Sequence, residues 1–95
     1  MALSDKSIKM CERIHELIPG GAHTYSKGDD QFPYNAPRFL SKGNGCHVWD
    51  IDGNEYIDWG MGLRSVILGY RYPRVMEAVK GALEMGSNFC RPAGG

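Results

Sequence analysis

Two groups of residues in this sequence have types and spacing that could do chemistry. Asp50, Asp52 and Asp58 place carboxylates around an Asp-Gly turn, and paired carboxylates can act as general acid and base or hold a hard cation. Aspartate is also what a turn selects, because its carboxylate accepts a backbone N–H two residues on, and two of the three lie at the turn. Cys11 with His15 four residues later, and Cys46 beside His47, offer sulfur and nitrogen ligands of the kind zinc takes. Structural zinc needs four well-spaced ligands, and no CxxC or HxxxH pair supplies them, so the sequence is read as having no metal site. Gly60 and Gly62 permit either close approach of a ligand or a simple bend.

The elements that must position these residues follow from local patterns. Ile8, Cys11, Ile14, His15 and Ile18 recur at three- and four-residue spacing and predict an amphipathic helix over 4–18, with Ser4 as N-cap and Pro19, Gly20 and Gly21 as the stop. Its other face, with Asp5, Lys9, Glu12, Arg13 and Glu16, reads as solvated. Residues 20–37 lack periodicity and are rich in turn formers, so they read as irregular, with Tyr25, Phe32 and Tyr34 in need of a surface to pack on. Phe39 and Leu40 predict a short strand followed by a turn at Gly43, Asn44 and Gly45.

Two β-prone runs, 46–51 and 54–59, flank Asp52 and Gly53 and predict a β-hairpin with Trp49 and Tyr56 as packing residues. A two-residue turn would set Trp49 opposite Tyr56 and Asp50 opposite Glu55, a like-charge pair; a longer turn beginning at Asp50 avoids that clash. Beyond the hairpin, 60–72 reads as a connection in which 66–68 forms a short buried strand or an extended passage. Pro73 then starts a helix whose apolar face is Val75, Met76, Val79, Ala82 and Leu83, closed by Gly86. Residues 87–95 carry no pattern. The fold class is α+β: N-terminal helix, long irregular segment, β-hairpin, C-terminal helix.

The chain's 95 residues make one domain at most, and 11 basic against 11 acidic side chains give no long-range field to draw it onto nucleic acid or an anionic membrane. Its apolar stretches are too short for a membrane span or a secretory signal. An odd number of widely spaced cysteines, Cys11, Cys46 and Cys90, argues against a disulfide framework and for packing roles in a reducing compartment. The chain is therefore read as cytoplasmic.

The run Trp49-Asp50-Ile51-Asp52-Gly53-Asn54-Glu55-Tyr56-Ile57-Asp58, then Ile67-Leu68-Gly69 and Pro73, resembles the start of the class III aminotransferases, enzymes of fold-type I that use pyridoxal phosphate (PLP). Pro19-Gly20-Gly21 ahead of the hairpin is similar to the aminomutase branch of that family. The resemblance implies that residues 1–95 are the N-terminal part, an incomplete domain, of a homodimeric enzyme acting on a small amino, keto or semialdehyde substrate. The large domain, with its PLP-anchoring lysine, would lie elsewhere.

PLP is an electron sink that the protein must hold in register with the substrate. None of Lys6, Lys9, Lys27, Lys42 and Lys80 sits in a matching motif, so no catalytic residue is assigned, and the chain alone is expected to be inactive and to bind no PLP. The resemblance does carry substrate positions: Thr24 and Lys27 stand where the aminomutase branch has a serine and a carboxylate-holding arginine, on a long irregular segment where binding residues concentrate; a solvated loop is the plain alternative. Met61, Gly62 and Leu63 stand where it has Gly-Ser-Trp, which makes Gly62 and Leu63 substrate-facing candidates. Lysine lacks the arginine fork, and leucine in place of tryptophan reshapes a pocket wall. The rival expectation is a non-catalytic binding or oligomerisation module from the same family, associating through exposed apolar helix faces.

Overall fold

The computed structural model describes residues 3–92. Helix α1 (Asp5–Leu17) begins where the cap signal places it: Ser4 Oγ accepts from Ser7 N at 3.1 Å, and Asp5 sits in the first turn, where a negative charge suits the helix dipole. At the other end the Ile18 N–H bonds the Ile14 carbonyl at 2.8 Å before Pro19 diverts the chain. Two long-range bonds dock α1 on the hairpin turn, Ser4 Oγ to Asp52 Oδ2 at 2.6 Å and Lys6 Nζ to the Ile51 carbonyl at 3.0 Å. The irregular segment that follows is punctuated by single 3-10 turns at Pro19–Gly21, Tyr25–Lys27 and Asp29–Gln31.

The expected hairpin is the larger part of a three-stranded antiparallel sheet, β1 (Leu40–Asn44), β2 (His47–Asp50) and β3 (Glu55–Ile57), in the order β1-β2-β3. Trp49 pairs with Glu55, Val48 with Tyr56 and His47 with Ile57, so the longer turn is the one adopted. Asp50 N donates to the Asn54 carbonyl at 3.0 Å and Gly53 N to the Asp50 carbonyl at 3.2 Å. Gly53 takes φ +86°, the left-handed step such a turn requires. The turn expected at residues 43–45 lies further on. Gly43 and Asn44 belong to β1, Asn44 pairs with His47, and Gly45 and Cys46 make the connection. Strand pairing with β2 overrides the local turn preference of Gly43 and Asn44.

The stretch 66–68 is neither a strand nor buried; it runs through turns, with Ile67 75% and Leu68 59% exposed. A single turn, α2 (Met61–Arg64), precedes it, and Tyr70 forms an isolated antiparallel bridge to Gly45. Helix α3 (Pro73–Leu83) starts on Pro73 as expected and closes with Gly86 N bonded to the Leu83 carbonyl at 3.2 Å.

The described residues form a mixed helix and small antiparallel sheet architecture, with only Val48 among their apolar side chains buried. The α3 face is open: Val75 and Val79 are each 44% exposed and Leu83 64%. Such stripes seek a covering surface. Among the described residues no helix is long and apolar enough to cross a membrane.

Candidate functional site

Gly62 and Leu63 lie in a backbone turn of the wrong hand for L-residues. Met61, Gly62, Leu63 and Arg64 have φ values of +49°, +58°, +60° and +73°, a left-handed turn that costs roughly 1–2 kcal/mol for each residue bearing a side chain. Its internal bonds are Arg64 N to the Gly60 carbonyl at 3.0 Å, Val66 N to the Met61 carbonyl at 2.9 Å and Ser65 Oγ to the Gly62 carbonyl at 2.8 Å. Its base is fastened by Asp58, whose carboxylate accepts from Gly60 N at 2.8 Å and from the Tyr70 hydroxyl at 2.5 Å. The Tyr70 bond, opposed by burial and assisted by the N–H groups of Gly60 and Met61, holds the Asp58 carboxyl below the usual carboxylate range. The same bond, with burial, pushes the Tyr70 phenol up. Leu63 itself is 57% exposed.

The second candidate region is ordered by Arg38. Its Nη1 donates to Asp29 Oδ2 at 2.9 Å, its Nη2 to the Tyr34 carbonyl at 3.3 Å, and its guanidinium lies 5.2 Å from the centre of the Tyr34 ring. Asp29 Oδ2 also meets His15 Nε2 at 2.9 Å, so α1, the irregular segment and the approach to β1 converge on one carboxylate. The His15 hydrogen bond, countered by burial and reinforced by the charges of His15 and Arg38, lowers the Asp29 carboxyl. Thr24 lines an adjoining cleft of about 320 Å³ with His15, Pro19, Tyr25, Asp29 and Asp30. Lys27 closes the neighbouring 3-10 turn, its side chain exposed to solvent.

Neither Gly62 nor Leu63 lines the cleft that Thr24 lines, and no hydrogen bond among the described residues joins Thr24 or Lys27 to Gly62 or Leu63. Asp50 and Asp52 are committed to the turn. Asp50, 7% exposed, accepts from Asp52 N and Asn54 N at 2.9 Å, and from Asn54 Nδ2 and the Tyr56 hydroxyl at 3.0 Å. Asp52 takes the Ser4 hydroxyl. His15 turns to Asp29 and Cys11 lies 4.0 Å from Arg38 Nη1, and no cluster of three His, Cys, Asp or Glu side chains suited to a metal occurs among the described residues. Sequence reasoning missed Arg38, Asp29 and Tyr70. Their partners are distant in sequence, and the one local hint was the crowding of aromatic residues around the irregular segment.

This combination of capped helix, irregular segment, small antiparallel sheet and proline-started helix defines the opening portion of an aminotransferase fold. The family described as Aminotransferase class-III matches residues 25–94, and the chain belongs to it. Among curated proteins it is 40% identical over 86 residues to the glutamate-1-semialdehyde 2,1-aminomutase of Fusobacterium nucleatum subsp. nucleatum, covering 90% of this chain and 20% of that protein. It is 38% identical over 87 residues to the enzyme of the same name from Desulforamulus reducens, covering 92% and 20%.

Two solved structures share the fold. A glutamate-1-semialdehyde aminomutase from Pseudomonas aeruginosa PAO1 matches with a TM-score of 0.80 at 26% identity, over 96% of this chain and 20% of that one. A transaminase solved with PLP bound matches with a TM-score of 0.79 at 28% identity, over 98% and 21%. The chain spans about a fifth of the length of the curated relatives it matches, and corresponds to the N-terminal part of these enzymes.

Proposed function

We propose that this chain forms one wall of the substrate pocket of a PLP-dependent aminotransferase or aminomutase, a homo-oligomeric cytoplasmic enzyme acting on a small amino, keto or semialdehyde compound. The observation that carries the reading is the fold match, which extends over nearly the whole chain and includes both irregular segments. Loops held by a rigid scaffold are where binding residues sit.

PLP, when bound, supplies an electron sink. The residues of this chain do not fit its site. An anchoring lysine is activated by desolvation in an apolar pocket or by a neighbouring cation, whereas Lys6, Lys9, Lys27, Lys42 and Lys80 are all exposed. The cofactor is therefore held by other parts of the enzyme, and this chain's share of the work is to bind and orient substrate. Lys27 offers a mobile point charge to a substrate carboxylate, and Thr24 a hydroxyl. Gly62 and Leu63 contribute a second stretch of that wall, and leucine leaves it less bulky than a tryptophan would.

Lys27→Ala in the complete enzyme tests this. Loss of a charge-assisted hydrogen bond worth about 1.5–3 kcal/mol raises KM by roughly ten- to a hundredfold with little change in kcat. An unchanged kcat/KM removes Lys27 from the site.

A further inference from the structure

The left-handed turn at Met61–Arg64 contains three residues with side chains, Met61, Leu63 and Arg64, each at positive φ. Together they hold strain that a free segment would shed by relaxing to right-handed backbone. Strain of this kind persists where surrounding structure over-determines it, and it clusters at ligand clamps.

The surrounding structure here is traceable residue by residue. Tyr70 is anchored to the sheet by a two-way backbone bridge, Gly45 N to the Tyr70 carbonyl at 2.9 Å and Tyr70 N to the Gly45 carbonyl at 2.8 Å. Its hydroxyl holds Asp58, and Asp58 holds Gly60 N, the residue on which the turn begins. Asp58 is itself fixed to the sheet by its N–H, which donates to the Cys46 carbonyl at 2.9 Å. Both ends of the 58–70 loop are thus tied to the connection between β1 and β2, and one side-chain bond closes its neck.

We infer that Asp58 and Tyr70 are positioning residues: by closing the neck of the loop they hold the left-handed turn, and with it the Leu63 wall, at the geometry that fits substrate. This rests on the reading of Gly62 and Leu63 as substrate-facing. Their effect passes through the backbone of the turn, which Asp58 holds at Gly60 N. Releasing the neck lets the turn relax, which weakens substrate binding while cofactor binding, supplied elsewhere, stays as it was.

The experiment uses the complete enzyme and compares Tyr70→Phe, Asp58→Asn, Asp58→Ala and Leu63→Ala. Tyr70→Phe removes only the hydroxyl, and is expected to raise KM about tenfold, with kcat within about twofold and the absorbance of bound cofactor unchanged. Asp58→Asn keeps an acceptor oxygen for Tyr70 and recovers part of the loss seen in Asp58→Ala. The double variant Tyr70→Phe with Asp58→Ala is no worse than Asp58→Ala alone, as expected of residues acting as one unit. A normal KM in Tyr70→Phe overturns the inference. So does a parallel fall of kcat and cofactor absorbance, which would mark a purely structural role. Leu63→Ala separates the two levels: a change in KM there with none in Tyr70→Phe sinks the positioning role alone. No change in Leu63→Ala sinks the wall assignment and the inference with it.

Discussion

Tyr70 packs directly against Gly43, so closely that a Cβ on that glycine would come within 2.6 Å of Tyr70 Cγ and 3.0 Å of its Cβ. These are the rooted atoms of the tyrosine, which cannot swing aside without moving the backbone that bridges to Gly45. A lack of side chain in the middle of β1 is therefore what lets the 58–70 loop lie on the sheet.

Gly43→Ala follows as the first prediction. The substitution is expected to cost about 1–3 kcal/mol, the usual range for overpacking, read as a lower thermal midpoint of the complete enzyme. Because it displaces Tyr70, it should also raise KM as Tyr70→Phe does. A midpoint and KM both equal to wild type would show that the contact is looser than the geometry implies.

The hairpin turn gives the second. Asp50 is buried and accepts four hydrogen bonds. Burial pushes its carboxyl up, yet the bonds from Asn54, Tyr56 and Asp52 outweigh it and leave the carboxyl below its ordinary range. A lowered folded-state pKa means that the unfolded chain takes up protons first, so the stabilisation is complete above the unfolded value, near 4, and is lost as pH falls through the folded one. Asp50→Ala strands the donors and is expected to cost on the order of 2–4 kcal/mol at neutral pH. Urea midpoints against pH should show the difference between variant and wild type shrinking on acidification; a difference constant to low pH would contradict the assignment.

Tyr56, at the other end of that bond, has its phenol pushed up by burial and by Asp50. What Asp50 accepts on the acid side, Tyr56 therefore retains on the alkaline side: its contribution is full below the unfolded phenol value and fades as pH rises through the folded one.

What the sequence made legible were the elements whose signals are local. Ser4 caps α1, Pro73 opens α3, and the Asp52-Gly53 pair marks the hairpin, because capping, fixed φ and positive φ are properties of one or two residues. The register was left between two choices; the like-charge rule on Asp50 and Glu55 pointed to the longer turn, and the burial and bonding of Asp50 decide for it. The handedness of Met61–Arg64 was invisible for a stronger reason. Nothing about Met, Leu or Arg favours positive φ, and the bond that closes the neck of their loop joins Asp58 to Tyr70, twelve positions apart. Thr24, Lys27, Gly62 and Leu63 became candidates through family resemblance, and the hub that orders the first pair, Arg38 with Asp29 and His15, had no signature in spacing.

That hub yields the third prediction. Arg38→Ala removes bonds to Asp29 and the Tyr34 carbonyl together with the cation–π contact, and should release the Thr24–Lys27 region. The Lys27, Gly28 and Gln31 amides, which donate to the Thr24, Tyr25 and Gly28 carbonyls, are expected to exchange with solvent tenfold or more faster, equivalent to about 1.4 kcal/mol of lost protection. Arg38→Lys should not restore them, because an ammonium cannot reach both acceptors and the ring at once. Full protection in Arg38→Ala would mean the 3-10 turns stand unaided.

The last concerns α3. Val75, Val79, Leu83, Met85 and Phe89 are exposed together along and just beyond one helix, at 44% to 81%, while Val48 is the only buried apolar side chain among the described residues. Two surfaces can cover such a stripe: the body of the complete enzyme, or a second copy of the isolated chain. The 95-residue polypeptide is therefore expected to bind a hydrophobic dye and to associate with rising concentration. Val79→Lys with Leu83→Lys should return it to monomer in sedimentation. In the complete enzyme the same pair buries unpaired charge against an apolar surface and should lower the yield of folded protein sharply. Were the doubly substituted enzyme as stable as wild type, the α3 face would be solvent-facing in the whole protein, and the stripe would belong to neither interface.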